Sequence, residues 1–297
     1  MKTIMYHYIR NNNKEYPYFN NLSKKLFKKQ LTKLDKKYGI IEDIKEISKK
    51  NKKVLLTFDD GFKDHFFAAK ELKKINKIGI FFLPTLPFQS QKILNVHKIH
   101  FLLGKIKPHL ALNALKEYLS SKKVNLDYNK LNKKFGKIYS HFNDYSDKSE
   151  FKKIINYFIK DYNLQTKILD HLIRKFKIKI SCKKIYLSNK EINIMKNMGM
   201  IIASHSHRHR LLSNLNYKDQ KREIIRSIDF LEKKFKINID HFCYPYGGKI
   251  SYNTNTIKIL KKTNITKAFS VGNKDTNLLK LKKHDYEIPR YDCNKFI

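Results

Sequence analysis

The chain predicts an α/β fold assembled from parallel βαβ units, and three observations predict it. Short apolar runs alternate with helical patterns. Several runs end at Gly- or Pro-containing turns. The strand, helix, strand spacing is that of crossover connections. The length of 297 residues suits one α/β barrel of ordinary size and allows a sizeable core. A hydrophobic content of 41% indicates a globular chain rather than a disordered one.

In order along the chain, Thr3–Tyr6 reads as a strand, and Val54–Phe58 as a buried strand ending at Asp59-Asp60-Gly61. Phe62–Lys77 has the apolar spacing of a helix, through Phe66, Ala69 and Leu72, and Gly79 separates it from the strand Ile80–Leu83. In the second half, Ser188 and Glu191 have the spacing of a capping box, opening a helix to Met198 that Gly199 ends. Met200–Ala203 is then a strand leading into the histidines. Tyr217–Phe235 carries Ile224, Ile228, Leu231 and Phe235 on one helical stripe. Phe242–Tyr244 is a short strand, Thr254–Lys262 a helix and Ala268–Val271 a strand.

Between these halves, residues 105–184 show no strand signal. Leu112, Leu115 and Leu119 line one helical face, Phe151, Ile154, Ile155 and Phe158 a second, and Leu169, Leu172, Ile173 and Phe176 a third. A connection this long is rare in a compact domain, so the segment is expected to be a helical insertion within a single domain spanning residues 1–297.

The formal net charge is +38, and of the basic residues 57 are Lys and only 7 Arg. The Lys are scattered in twos and threes throughout, as at Lys24-Lys25 and Lys52-Lys53. Phosphate readers favour the Arg fork, and no zinc-finger or RNA-binding signature is present. A compositional bias toward Lys, Asn and Ile accounts for the charge better than specific nucleic-acid binding. A weak peripheral attraction to anionic membrane or glycan still follows. The three cysteines, Cys182, Cys243 and Cys293, are too few and too widely spaced for a disulfide framework. No run of signal-peptide length opens the chain and no stretch reaches the ~18 apolar residues that span a bilayer, so a cytoplasmic protein is expected.

Three segments have chemistry in them. Asp59 and Asp60 follow a buried strand, where α/β enzymes place catalytic groups, and both face one site only if the chain turns at Gly61. The competing role for Asp60 is as a helix cap. His205 and His209 follow another strand; four apart, on a helical turn, they would share a face and bind one metal ion. Two imidazoles with one carboxylate form a common open metal site. Asp60 would be the third ligand, and Asp59 would be free to take a proton from water. The turn Tyr244-Pro245-Tyr246-Gly247-Gly248 offers backbone N–H groups to an oxyanion.

At these residues the chain resembles the polysaccharide deacetylases of carbohydrate esterase family 4, with the NodB-homology domain. Thr57–Gly61 reproduces the Thr-Phe-Asp-Asp-Gly motif, His205-Ser206-His207-Arg208-His209 matches His-Ser/Thr-x-x-His, and Pro245-Tyr246-Gly247 matches the end of the third motif. The resemblance implies a distorted, TIM-like (β/α)7 barrel with a helical insertion. It implies Asp59 as catalytic base, a divalent ion (zinc is expected) on Asp60, His205 and His209, and the Tyr246 N–H in the oxyanion hole beside Pro245. Three features depart from the pattern. The family Arg of the third motif is replaced by Cys243, and Arg290 is a candidate to supply that guanidinium or to serve as a structural ion pair. The Trp motif is absent. The general acid is open between His284 and His7. His97 and His100, at the mouth of the insertion, are read as structural or substrate-facing.

The expected reaction is hydrolysis of an N-acetyl, or O-acetyl, group on a carbohydrate such as a glycan precursor. The alternatives are a same-fold amidohydrolase acting on a non-sugar amide, and a catalytically silent module that binds glycan or membrane.

Overall fold

In the computed structural model, which describes residues 1–48, 52–125, 127, 147–276 and 285–296, the apolar runs become parallel strands that close on themselves. They are β1 (Lys2–Tyr6), β2 (Val54–Asp59), β3 (Ile80–Leu83), β4 (Ile201–Ser204), β5 (His241–Cys243), β6 (Lys267–Val271) and β7 (Asp285–Asp292). The strands pair in chain order, and β7 returns to β1 through Tyr291 beside Ile4 and Asp292 beside Met5. This closed seven-stranded parallel barrel is the fold that the resemblance implied.

Strand alternation divides the apolar residues into two cores. Leu55, Ile80, Phe82, Ala203, Cys243, Phe269 and Ile288 form one cluster. Val54, Leu56, Phe58, Phe81, Leu83 and Phe242 belong to the other. They share it with Ala68 and Leu72 of helix His65–Lys74, Ile192 and Met195 of helix Asn189–Asn197, and Ile224, Ile228 and Leu231 of helix Tyr217–Phe235. Thr57 and Asp59 continue the two-residue rhythm of Leu55, and Arg290 that of Ile288. The first cluster therefore becomes polar toward the C-terminal ends of the strands. The helix at Ser188 forms with its capping box intact.

The helix Lys24–Tyr38 and β7 stand outside the sequence pattern. The helix Lys24–Tyr38 buries only Phe27, Gln30, Leu31 and Leu34, a thin stripe in a Lys-dominated segment. β7 contains Pro289, which argues against a central strand because it cannot donate to a ladder. It is accommodated because pairing to β1 is confined to Tyr291 and Asp292, leaving Pro289 paired only toward Ser270 of β6.

Residues Asn12–Asn20 and Ile93–Ser181 form a second compact unit. Its helices are Asn95–Lys105, Pro108–Ser121, Asp147–Lys153 and Tyr162–Lys175, with a π-helical turn at Ile154–Phe158. The three stripes read from sequence meet there: Leu112, Leu115, Leu119, Phe151, Ile154, Ile155, Leu169 and Leu172 share one core, with Phe158, Ile173 and Phe176 packed against it. His97 and His100 lie on its first helix, rings 5.8 Å apart. Among the described residues no helix is long and apolar enough to cross a membrane.

Candidate metal and acyl-transfer site

The two carboxylates separate because the chain turns left-handed between them. Asp59 ends β2, and Asp60 has φ 80° and Gly61 φ 63°. The Asp60 N–H donates to the Phe82 carbonyl at 3.0 Å, the last bond before the turn. A Cβ on Gly61 would lie 2.9 Å from both Leu83 and Phe88, so this turn needs glycine for space as well as for φ. Asp60 caps no helix: the next one starts at His65, with Asp64 at its N-cap.

The histidines follow β4, but not on a helical turn as the spacing suggested. Residues 205–210 are irregular, with Ser206 at φ 64° and His209 at φ 53°. The loop is held by its neighbour: the Thr85 and Leu86 N–H groups donate to the carbonyls of Ser206 (3.2 Å) and His207 (2.9 Å). Thr85 Oγ1 meets His207 Nδ1 at 2.8 Å, and Ser206 Oγ accepts the His209 N–H at 3.2 Å. The Arg208 N–H donates to buried Glu223 at 2.7 Å. His207 points away from solvent, and burial, with Arg226 and Arg208 nearby, lowers its pKa to about 3.

The result brings His205 Nε2 to 3.6 Å and His209 Nε2 to 3.5 Å from Asp60 Oδ1. The donor atoms of Asp60, His205 and His209 all lie within 4.8 Å of one another, and all three residues are buried. His205 Nδ1 must donate to the Cys243 carbonyl, 2.8 Å away, which leaves Nε2 as the lone-pair nitrogen facing Asp60. One carboxylate and two oriented imidazoles fit a divalent ion. Asp59, His205 and Cys243 are equally close-set. In that set, however, both Asp59 oxygens are engaged by Arg290 and the His205 nitrogen on the Cys243 side is spent on a carbonyl. The first set is therefore the better ligand site.

Arg290, 1% exposed, reaches from β7 to Asp59. Its two terminal nitrogens meet Oδ1 at 2.7 Å and Oδ2 at 2.8 Å, a fork-to-fork pair. Thr57 Oγ1 accepts from the same guanidinium at 3.1 Å while donating to the Ile4 carbonyl at 3.0 Å. Cys243 Sγ lies 3.0 Å from Nη2, and the Phe82 ring centroid 5.6 Å from the guanidinium carbon. Burial is the largest influence on Asp59 and would raise its pKa. The charge and hydrogen bonds of Arg290, with His205 and His7, outweigh it and hold the carboxyl at about 2. Burial pushes the Cys243 thiol up and His205 down.

The remaining candidates divide. His7, just beyond β1, has Nε2 3.9 Å from Asp59 Oδ2 and a side chain 39% exposed. The Pro245–Gly248 turn places the Tyr246 ring 5.0 Å from His209, with Tyr246 at φ 64° and Gly247 at φ 65°. The turn is tied down by the Val271 N–H, which donates to the Gly247 carbonyl at 2.7 Å. His284 lies outside the described residues. Sequence reasoning missed Thr85, Glu223 and Phe82. Only Glu223 left a signal: an acidic residue beside Ile224 on the buried helix face.

A parallel barrel with carboxylates, imidazoles and a strained turn at the C-terminal ends of its strands has the layout of a hydrolytic enzyme site. Residues 130–268 match the polysaccharide deacetylase family model. That bears out the family resemblance, and with it the enzyme class, a hydrolase of the polysaccharide deacetylase type. The matched span contains the second and third motifs, and Thr57–Gly61 stands before it. Among solved structures, the Streptococcus pyogenes deacetylase PplD in complex with acetate is similar at 18% identity and TM-score 0.58, over 98% of this chain and 92% of that one. The de-N-acetylase from Aggregatibacter actinomycetemcomitans is similar at 14% identity and TM-score 0.58, over 100% and 99%. IcaB from Ammonifex degensii follows at 13% and 0.54, over 99% and 93%. At these identities the likeness is one of fold. No curated protein matches the sequence.

Proposed function

We propose that this protein removes an acetyl group from a carbohydrate, an N-acetyl group in preference to an O-acetyl one, with one divalent ion, zinc, held by Asp60, His205 and His209. The observation that carries the reading is the convergence of those three buried donors beside a second, separately engaged carboxylate, Asp59. When bound, the ion polarises the acyl oxygen and acidifies water, which a base as weak as Asp59 requires.

The rest falls to the chain's own residues. Asp59, kept ionised by Arg290, accepts the proton of the attacking water. The Tyr246 backbone N–H faces the oxygen on which negative charge develops. His7 is the described histidine beside Asp59 that is also open to solvent, and it protonates the departing amine. A glycan precursor is the proposed substrate, with the basic surface adding weak attraction to anionic glycan or lipid.

The test is acetate release from N-acetylated amino-sugar oligomers, with metal content measured on the same samples. Asp59→Asn should abolish turnover and keep the ion. His205→Ala should lose both. Full activity in either variant refutes the reading, and activity on simple amides in place of sugars would transfer the site to a non-sugar substrate.

A further inference from the structure

His65 is fully buried, which the proposed chemistry leaves unexplained. It opens the helix His65–Lys74, its ring 5.6 Å from Phe58, 5.7 Å from Phe62 and 6.0 Å from Phe81. Burial, its largest influence, lowers its pKa to about 4, so the imidazole is neutral near neutral pH. Its Nδ1 has no hydrogen-bond partner among the described residues. A buried unsatisfied nitrogen costs about 1–3 kcal/mol, which an apolar side chain in this aromatic box would avoid. The compensating contact is at the other nitrogen: Nε2 lies 2.8 Å from the His7 carbonyl and, facing a carbonyl, donates to it.

This bond is one rung of a longer clamp. The Tyr8 and Phe62 rings stack at 4.0 Å. The Ile9 backbone bonds the Asp64 carboxylate. Arg10 Nε donates to Asp64 Oδ2 at 2.6 Å, and the guanidinium covers the Tyr8 ring at 4.7 Å. Residues 7–10, which leave β1, are thus gripped residue by residue by 62–65, which leave β2 just after the two carboxylates. The His65–His7 bond is the rung that holds the residue whose imidazole lies 3.9 Å from Asp59.

We infer that His65 is a positioning residue: through the His7 carbonyl it fixes the backbone from which the His7 imidazole reaches the reacting centre. This rests on His7 being the general acid. A neutral, tautomer-locked imidazole in a rigid aromatic box holds that backbone without adding charge beside Asp59. Misplacing an acid by about 1 Å can cost on the order of a hundredfold in rate.

The experiment compares His65→Met, His65→Gln and His7→Ala on two substrates. One is an N-acetylated amino-sugar oligomer, whose amine must be protonated to leave. The other is an aryl acetate, whose phenolate leaves without help. Metal content and Tm are recorded for each variant. His65→Met should lower kcat on the amide by about tenfold to a hundredfold, leave KM within about twofold and spare the aryl acetate. His65→Gln, whose amide N–H lies at a similar reach, should recover most of the loss. Should Met fail to fold, His65→Asn keeps a polar side chain but draws its amide N–H back by one methylene relative to Gln, out of reach of the His7 carbonyl. Wild-type kcat in a folded His65→Met or Asn variant overturns the inference, as does equal loss on both substrates or failure of Gln to restore activity. Full amide activity in His7→Ala overturns the inference together with the assignment of His7. An impaired His7→Ala beside an unimpaired His65→Met removes this inference alone.

Discussion

Replacing Arg290 by Met removes the charge that grips both oxygens of Asp59, and the structure sets the size and the sign of the consequence. Asp59 is 2% exposed, and its carboxyl is held at about 2 against an ordinary 3.8. At about 1.4 kcal/mol per unit, that depression is worth roughly 2–3 kcal/mol of stability. Because the folded value is the lower one, this stability is fully present above the unfolded pKa and is lost as pH falls through the folded value. Without the guanidinium, burial is opposed by the more distant histidines and the Cys243 thiol. The folded pKa of Asp59 then rises above the unfolded one, and the sign reverses: the variant carries a penalty at neutral pH that protonation relieves. Breaking a buried pair costs on the order of 3–5 kcal/mol, so urea denaturation near pH 8 should show a deficit of that size. The deficit should shrink toward about pH 5 as Asp59 takes up its proton. The acid limb of the kcat/KM profile should move upward in parallel, since a protonated Asp59 is no base. Arg290→Lys, which keeps the charge but not the fork, should fall between. A deficit that is constant across this range, with an unshifted acid limb, would show that Arg290 is not what keeps Asp59 ionised.

Three other outcomes are expected. Chelation should lower the Tm of the wild type and not that of Asp60→Asn, because an ion at a hundred times its dissociation constant adds about 2.7 kcal/mol; equal shifts in a thermal melt would place the ion elsewhere. Gly247→Ala, at φ 65° with its new Cβ directed into the Val271 side chain, should cost about 1–3 kcal/mol and reduce kcat by displacing Tyr246; an unchanged Tm would contradict the strain argument. Ser188→Ala removes the capping bond to the Glu191 N–H and should cost about 1 kcal/mol in denaturant with kcat unchanged.

What the sequence made legible was local. Ile80–Leu83 and Tyr217–Phe235 form over the residues their periodicity marks, and the Ser188 capping box forms as written. The helix expected from Phe62 starts only at His65, because Asp60 and Gly61 first take the chain through a left-handed turn that apolar spacing does not register. The residues proposed to hold the metal were legible because each motif sits at a strand end. The loop joining His205 to His209 was not, since its shape is imposed by Thr85 and Leu86, at the start of the helix Leu86–Ser90 that follows β3, rather than by its own helical spacing. The Arg290–Asp59 pair spans 231 positions of sequence, and only barrel closure through β7 brings its members together.

The same closure explains how the site holds backbone conformations that non-glycine residues avoid. Asp60, Ser206, His209 and Tyr246 all have positive φ, at a cost of roughly 1–3 kcal/mol apiece. Asp60, Ser206 and Tyr246 are each followed or flanked by a bond to a neighbouring element, Asp60 to Phe82, Ser206 to Thr85 and Gly247 after Tyr246 to Val271, while His209 is tied back to Ser206 within its own loop. Strain of this kind persists only where the surroundings over-determine it, and here they do so through an apolar interior that ends one layer below the carboxylates. Phe82 joins the two levels. It packs against Phe269 at 5.3 Å within the apolar cluster and lies under the Arg290 guanidinium at 5.6 Å. Phe82→Ala should therefore act as a core deletion and as a site mutation at once, destabilising the chain by about 3–5 kcal/mol while loosening the Arg290–Asp59 fork. If the acid limb of its rate profile stays at the wild-type position in spite of that loss, the apolar plug supports the fold without setting the geometry of the base.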